Sequence, residues 1–404
     1  MNSLFICGYR PFFLSTTVGA VLGVGIWLLA IAVGLPWPEP SGGWLLWHAH
    51  GLVVGVGLAS VAGFLLTAVP EFTGCAPLPA TALRRLFGAW LLARACHLAS
   101  GWWPMPLLLA MVLADAWVLW RLLCFAAPPL WQDPQRRHTA FIPTLAALGV
   151  AQVGASTALL TEGDVLRWVW LAMGVLMALI VIALSRISMR MVNDALAAQG
   201  SDDASYLARP PRRNLAVFCI GLHSAVAWAW PHASATGWLA MAAAAAVFNL
   251  LNDWHVRGAL RSRWVWPLYG VYAFMGLGYA ALGTGQLWAW CGPSLGHHLL
   301  LVGALGLALW MVMVIAGHFH SGRTLPTGRW VSLGASLLVV AALARALAAW
   351  PSLAAGATHG WWLAGTAWVA AWTLYAWRAW PTLAAPRPDG RQGCDEALEN
   401  GCEG

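Results

Sequence analysis

The stretch "WLLWHAHGLVVGVGLASVAGFLLTAV", Trp44 to Val69, carries no ionisable side chain apart from the imidazoles of His48 and His50. About 20 apolar residues in a helix cross the roughly 30 Å hydrocarbon layer of a bilayer, so this run predicts a membrane span. Its two histidines sit close to one end. Placing them there calls for a reason, because a span used only for packing needs none.

The rest of the chain repeats the pattern. Of 404 residues 60% are apolar and 9% charged, with a mean hydropathy of +0.68. A water-soluble domain of this length could not cover its surface with so few charges. The bilayer is therefore the expected solvent. Stretches of suitable length and polarity predict twelve spans, near 12–35, 44–69, 86–101, 104–127, 139–160, 165–192, 214–231, 236–254, 264–285, 292–317, 329–350 and 359–381. The expected fold class is an all-α polytopic integral membrane protein. Internal Gly and Pro do not argue against helix, since neighbouring helices can satisfy the freed backbone groups. The 29 Trp suit interfacial belts.

Lys is absent, so the 22 basic residues are all Arg. If the spans are threaded in order, all but Arg94, Arg167 and Arg345 fall at the N-terminus, the C-terminal tail, or the loops after spans two, four, six, eight and ten, with the helix ends beside them. The positive-inside rule then places both termini in the cytoplasm. The first residues lack the charged lead and small-residue cleavage site of a secretory signal, so the N-terminus is expected to lead into the first span. The net charge of +7 follows from this topology. No basic stripe interleaved with aromatics points to nucleic acid.

One membrane domain, 1–385, is expected, with six-span halves 1–193 and 214–385 joined by a cytoplasmic linker at 194–213. The tail, 386–404, is polar and Gly-rich and is expected to be disordered. No internal sequence repeat stands out. The eight Cys show no CxxC spacing, and no disulfide or zinc framework is expected from them.

Orientation assigns depth. His48 and His50 lie just below the outer end of span two, and His297 and His298 near the outer end of span ten. His318 and His320 mark the inner end of span ten, about 33 Å of helix from His298. His48 and His50 differ by about 200° on a regular helix, so one ion cannot take both from that helix. The reading is an outer metal or haem site drawing on His48, His50 and His298, because neutral imidazole suits haem iron and copper. Against it stands the plainer reading of interfacial histidines bonded to backbone or water. The inner layer, "GHFHSGR" (Gly317 to Arg323) with Arg10, Arg186, Arg190, His138 and Tyr269, could hold haem propionates and an axial ligand, or an anionic substrate. Arginine at cytoplasmic helix ends is already explained by orientation. Asp115 is costly in mid-span and pairs with Arg94, for structure or for proton relay. His97, His223 and His359 receive no role.

Three motifs, "GYRPFFL" at the N-terminus, "WHAH" with "AGFLLTAVP" and "TG" (Trp47 to Gly74), and "VGALG" with "GHFHSGR", resemble the NnrS family in order and span number. These are polytopic haem- and copper-containing membrane proteins associated with denitrification and resistance to nitric oxide. The resemblance implies a b-type haem with copper as a second metal, nitric oxide or another small diatomic as ligand, and a bacterial inner-membrane location. It supports Arg10, His48, His50, His298, His320 and Arg323 as site residues, retains Arg186, and adds His318 as an extra candidate metal ligand. The chain departs from the family pattern at Gly51, at Glu71 in "VPEFTG", in "LSRISMRM", at Tyr269 and at Ile315. The outer site is thus better supported than the inner one. The electron donor and any turnover of nitric oxide stay open. A twelve-span secondary transporter and a divergent haem–copper oxidase relative are the rival readings.

Overall fold

Inside a bilayer the backbone must satisfy its own polar groups, and long apolar runs do so as helices. The computed structural model describes residues 3–200, 205–254, 256, 258–390 and 394. It is 80% helix, with no strand among the described residues. The long helices are α1 (Tyr9–Val33), α2 (Gly43–Thr73), α3 (Ala80–Ala99), α4 (Pro104–Gln132), α5 (Phe141–Leu160), α6 (Val165–Ala197), α7 (Pro210–Ala229), α8 (Ser234–Leu251), α9 (Trp266–Trp288), α10 (Pro293–Phe319), α11 (Trp330–Ala348) and α12 (Ala357–Ala384). Eight of these, α1, α2, α4, α5, α6, α8, α10 and α11, are long and apolar enough to cross a membrane. The remaining four carry arginines, as α3 and α7 do, or are rich in Trp and Tyr, as α9 and α12 are.

Burial separates the spanning helices into two kinds. In α2, 89% of the most apolar window is enclosed by protein, and in α6 and α10 it is 72%, against 50% or less in the other five. Helices apolar all round and shielded from lipid form a core. Two of these three carry the histidine pairs.

Both histidine-bearing helices also change winding at the same place. In α2 the segment Gly51–Val56 is π-helical, starting directly after His50. In α10 the π-helical segment Leu299–Leu305 starts directly after His298. Such wide turns are rare and concentrate at functional sites. The local sequences "GLVVGVGLA" and "LLLVGALGLA" match in character.

The chain forms two units. The first comprises Met1–Val169, Val312–Gly328 and the segment from Trp372 onward. In it α2 packs on α1, α3 and α4, and α4 also packs on α5. The α1–α2 contact uses "GAVLG", Gly19 to Gly23. A Cβ at Gly19 would lie 2.7 Å from a Val56 methyl, and one at Gly23 would lie 2.8 Å from a Leu52 methyl. Small residues four apart let two backbones approach closely in lipid. The second unit comprises Trp170–Met311 and Arg329–Ala371. There α8 packs on α7 and α9, and α10 on α9 and α11.

One expectation is corrected. Cys7 and Cys394 form a disulfide across 387 residues, because the chain past α12 turns back onto the N-terminus. Of the tail, residues 386–390 and 394 are described, and Arg387 is buried there. Its Nη1 donates to the His320 carbonyl at 2.9 Å, and its Nε to Asp389 Oδ1 at 2.9 Å. Residues 391–393 and 395–404, with Cys402, lie outside the described residues, as do linker residues 201–204.

Gly23→Ile should weaken the α1–α2 contact by about 1–3 kcal/mol through overpacking, read as a lower thermal midpoint in detergent. Gly25→Ile, where a Cβ meets nothing within 4 Å, should leave that midpoint nearly unchanged.

Candidate functional site

A backbone carbonyl can only accept a hydrogen bond, so an imidazole nitrogen bonded to one must carry the proton. In the first unit His48 Nδ1 lies 3.1 Å from the Gly23 carbonyl of α1. The neutral ring is then the Nδ1–H tautomer, with its lone pair on Nε2. Trp27 stacks on the ring at 4.5 Å between centroids and fixes its plane. His50 points elsewhere, as the angular offset predicts. It is fully buried, and its Nε2 is 3.4 Å from Ser156 Oγ of α5. His97 of α3 meets it edge to face at 4.9 Å.

Several buried polar atoms close to His50 have no protein partner: His50 Nδ1, His97 Nε2, and Arg94 Nε and Nη1. Unmet buried polar groups are costly and uncommon. Arg94 spends Nη2 on Asp115 of α4, which is itself buried. Gly55, within the π-helical turn, makes room for this guanidinium, since a Cβ there would lie 2.4 Å from Arg94 Nη1. The ion pair foreseen from sequence thus exists, and it lies against the α2 turn that follows His50.

In the second unit His298 Nδ1 is 2.7 Å from the Ser294 carbonyl, again leaving the lone pair on Nε2. Arg345 of α11 donates Nη2 to Ser294 Oγ at 3.1 Å and steadies the same turn. The neighbouring His297 stacks on Trp170 at 3.8 Å. Arg186 is half-buried on α6 of this unit.

The inner histidines belong to the first unit. His318 bonds through Nδ1 to the Val314 carbonyl at 2.8 Å, and His320 through Nδ1 to the Cys394 carbonyl at 2.7 Å. His320 Nε2 lies 3.5 Å from Glu71 Oε2, the carboxylate standing where the resembling family has an amide. Arg10 is buried, and its Nη1 donates to the carbonyls of Ser3 at 3.1 Å, Leu383 at 3.2 Å and Ala385 at 2.6 Å. It therefore caps the C-terminal end of α12, where carbonyls concentrate partial negative charge. Arg323 differs, for its Nε has no partner in the structure.

Among the described residues no three or more His, Cys, Asp or Glu gather closely enough to hold a metal ion by themselves. A porphyrin supplies four ligands of its own and asks the protein for one or two axial groups. The donor set of single, tautomer-fixed imidazoles fits that demand. Sequence reasoning gave no role to His97 and did not reach Ser156, Ser294 or Arg345, because a lone Ser or Arg on a helix carries no periodic signal.

The architecture is that of a polytopic α-helical membrane protein with histidines set into its most enclosed helices. The model of one family, described as NnrS protein, matches residues 3–387, nearly the whole chain. The chain belongs to the NnrS family. No protein with a curated description matches it.

Arg94→Met should cost about 3–5 kcal/mol by leaving the Asp115 carboxylate buried and uncompensated. The double change Arg94→Met with Asp115→Leu should recover most of that loss. Unfolding in mixed micelles checks both, and an additive pair of losses would show that the two charges do not depend on each other.

Proposed function

We propose that this chain is a haem-binding protein of the bacterial inner membrane that handles nitric oxide or protects against nitrosative stress. One observation carries this reading. His48, His298, His318 and His320 each donate Nδ1–H to a backbone carbonyl, which is how proteins orient imidazoles that ligate metal through the other nitrogen. His48, His50 and His298 are the axial candidates of the outer layer, His50 through its buried, unpartnered Nδ1. His318 and His320 are the candidates of the inner layer. Arg323, with Arg186 and Arg10, is assigned to anionic groups such as propionates.

Haem iron, when bound, supplies an affinity for nitric oxide. The chain's own residues supply the rest. Carbonyls hold the imidazoles in one tautomer, and Trp27 holds the His48 ring plane. The π-helical turn of α2 places Gly51 directly after His50, and apolar helix walls admit an uncharged gas that partitions into lipid. The full topology of twelve spans with both termini in the cytoplasm belongs to the same proposal. It rests on the arginine distribution.

A reduced-minus-oxidised optical spectrum with metal analysis of the detergent-purified protein tests the cofactor. Soret and alpha bands that shift with nitric oxide, and that disappear in His48→Ala or His298→Ala while the variant stays monodisperse, are the expected result. Colourless, metal-free, folded protein would overturn it in favour of transport. Reporter fusions check the topology: an enzyme active only in the periplasm should be silent at the C-terminus and active after Trp350. A reversed pattern would refute the orientation.

A further inference from the structure

In the second unit a notch forms where the middle of α6, the end of α8 and the starts of α7 and α9 come together. Its mouth is open, and its interior, about 10 Å³, has room for one water-sized group. The residues that matter are Tyr206, Arg209, Arg213, Asp253, Trp254 and Tyr272. The linker was expected to be only a connection between halves, yet its second part is built into this wall. Tyr206 donates its backbone N–H to Asn193 Oδ1 at 2.8 Å, and its carbonyl accepts from Asn193 Nδ2 at 3.1 Å. This two-way clamp lays the buried Tyr206 ring on Trp254 at 5.1 Å.

Most of the polar side chains in its lining are donors. Trp254 is 1% exposed, and its Nε1–H has no acceptor. An indole N–H can only donate, so what completes it must bring a lone pair. Arg213 directs Nε and Nη2 to the neutral amide oxygen of Asn214, at 3.1 and 3.0 Å. That contact leaves its charge unmatched. Asp253 is the one carboxylate of the lining, and it is already engaged by Arg212 Nη1 at 2.7 Å and Arg209 Nε at 3.5 Å. Among the described residues, Arg209, Arg212 and Arg213 stand against the single carboxylate of Asp253. The Tyr206 hydroxyl, outside the spans, has its pKa pushed up to about 12 by burial and keeps its proton; it lies 3.4 Å from Ser188 Oγ, which can donate to it and leave that proton for a ligand.

We infer that the mouth of this notch is a binding site for a phosphate group, one oxygen of which enters to meet the Trp254 N–H while Arg213 and the Tyr206 hydroxyl hold the others. Donors from separate helices suit a tetrahedral oxyanion, with acceptor oxygens in several directions, better than a planar carboxylate. Two sources share this chemistry, the headgroup of an anionic phospholipid and soluble phosphate. The inference does not depend on haem, and none of these residues is a proposed ligand.

Equilibrium dialysis of the full chain in detergent with radiolabelled inorganic phosphate tests the soluble source. Native mass spectrometry after extraction from nanodiscs of phosphatidylglycerol, compared with phosphatidylcholine, tests the headgroup. Saturable phosphate binding, or preferential retention of phosphatidylglycerol, is expected. Either should fall about tenfold in Arg213→Gln and in Trp254→Phe, as losing one hydrogen bond to a charged group requires. Should Trp254→Phe fail to fold, Arg213→Gln decides alone. Binding of neither ligand, or binding of either one unchanged in the folded variants, would overturn the inference, whatever the optical spectrum shows.

Discussion

Four of the histidines in this protein owe their orientation to one asymmetry: a peptide carbonyl has lone pairs and no proton to give. In water that would matter little, since an imidazole could exchange partners and tautomers. Where burial limits that exchange, as at His318 and His320, the nearest carbonyl decides which nitrogen keeps its lone pair, and the half-buried His48 and His298 meet a carbonyl in the same way. His48 takes its carbonyl from a neighbouring helix at Gly23, while His298 and His318 take theirs from the preceding turn. Which nitrogen of each ring keeps its lone pair follows from that choice, and so do the demands on helix packing. His48 is held only while α1 stays close to α2, which the small residues at Gly19 and Gly23 permit.

The arginines show the same economy of partners. Arg94 meets a carboxylate inside the helix bundle, and the pair is neutral overall. Arg10 meets carbonyls instead, at the end of α12, while Arg387 joins the His320 carbonyl to the carboxylate of Asp389. A guanidinium on a helix C-terminus is electrostatically content without any counter-ion. The inner layer thus contains more positive side chains than capacity for an anion. Arg323, with an uncommitted Nε, is the residue in which that capacity is concentrated. Glu71 adds a negative charge beside His320, so this layer differs electrostatically from a purely basic one.

Most of the helices could be read directly from hydropathy, because the apolar run and the helix are the same object inside a bilayer. The run 104–127 lies within α4, Pro104–Gln132, and 165–192 lies within α6, Val165–Ala197. The helices overrun their spans because backbone hydrogen bonding continues into the interface after apolarity has ended. The span at 86–101 extends backwards to Ala80 for that reason, through the good helix formers Leu83, Arg84 and Arg85. The histidine pairs were legible as types at helix ends. Their partners were not, since Ser156 and Gly23 are chosen by packing. Nor were the π-helical turns, which depend on backbone winding that no local propensity encodes, or the Cys7–Cys394 bond, whose partners are nearly the length of the chain apart.

The first guanidinium of the chain takes two of its carbonyls from the end of α12. Arg10 leaves the ribosome hundreds of residues before Leu383 and Ala385, and contacts of such separation form late. Until α12 is in place, Arg10 has the Tyr9 hydroxyl and the Ser3 carbonyl as its partners. A chain truncated within α12 would therefore lose more than that helix: the start of α1 would lose the two carbonyls that tie it to the far end of the sequence.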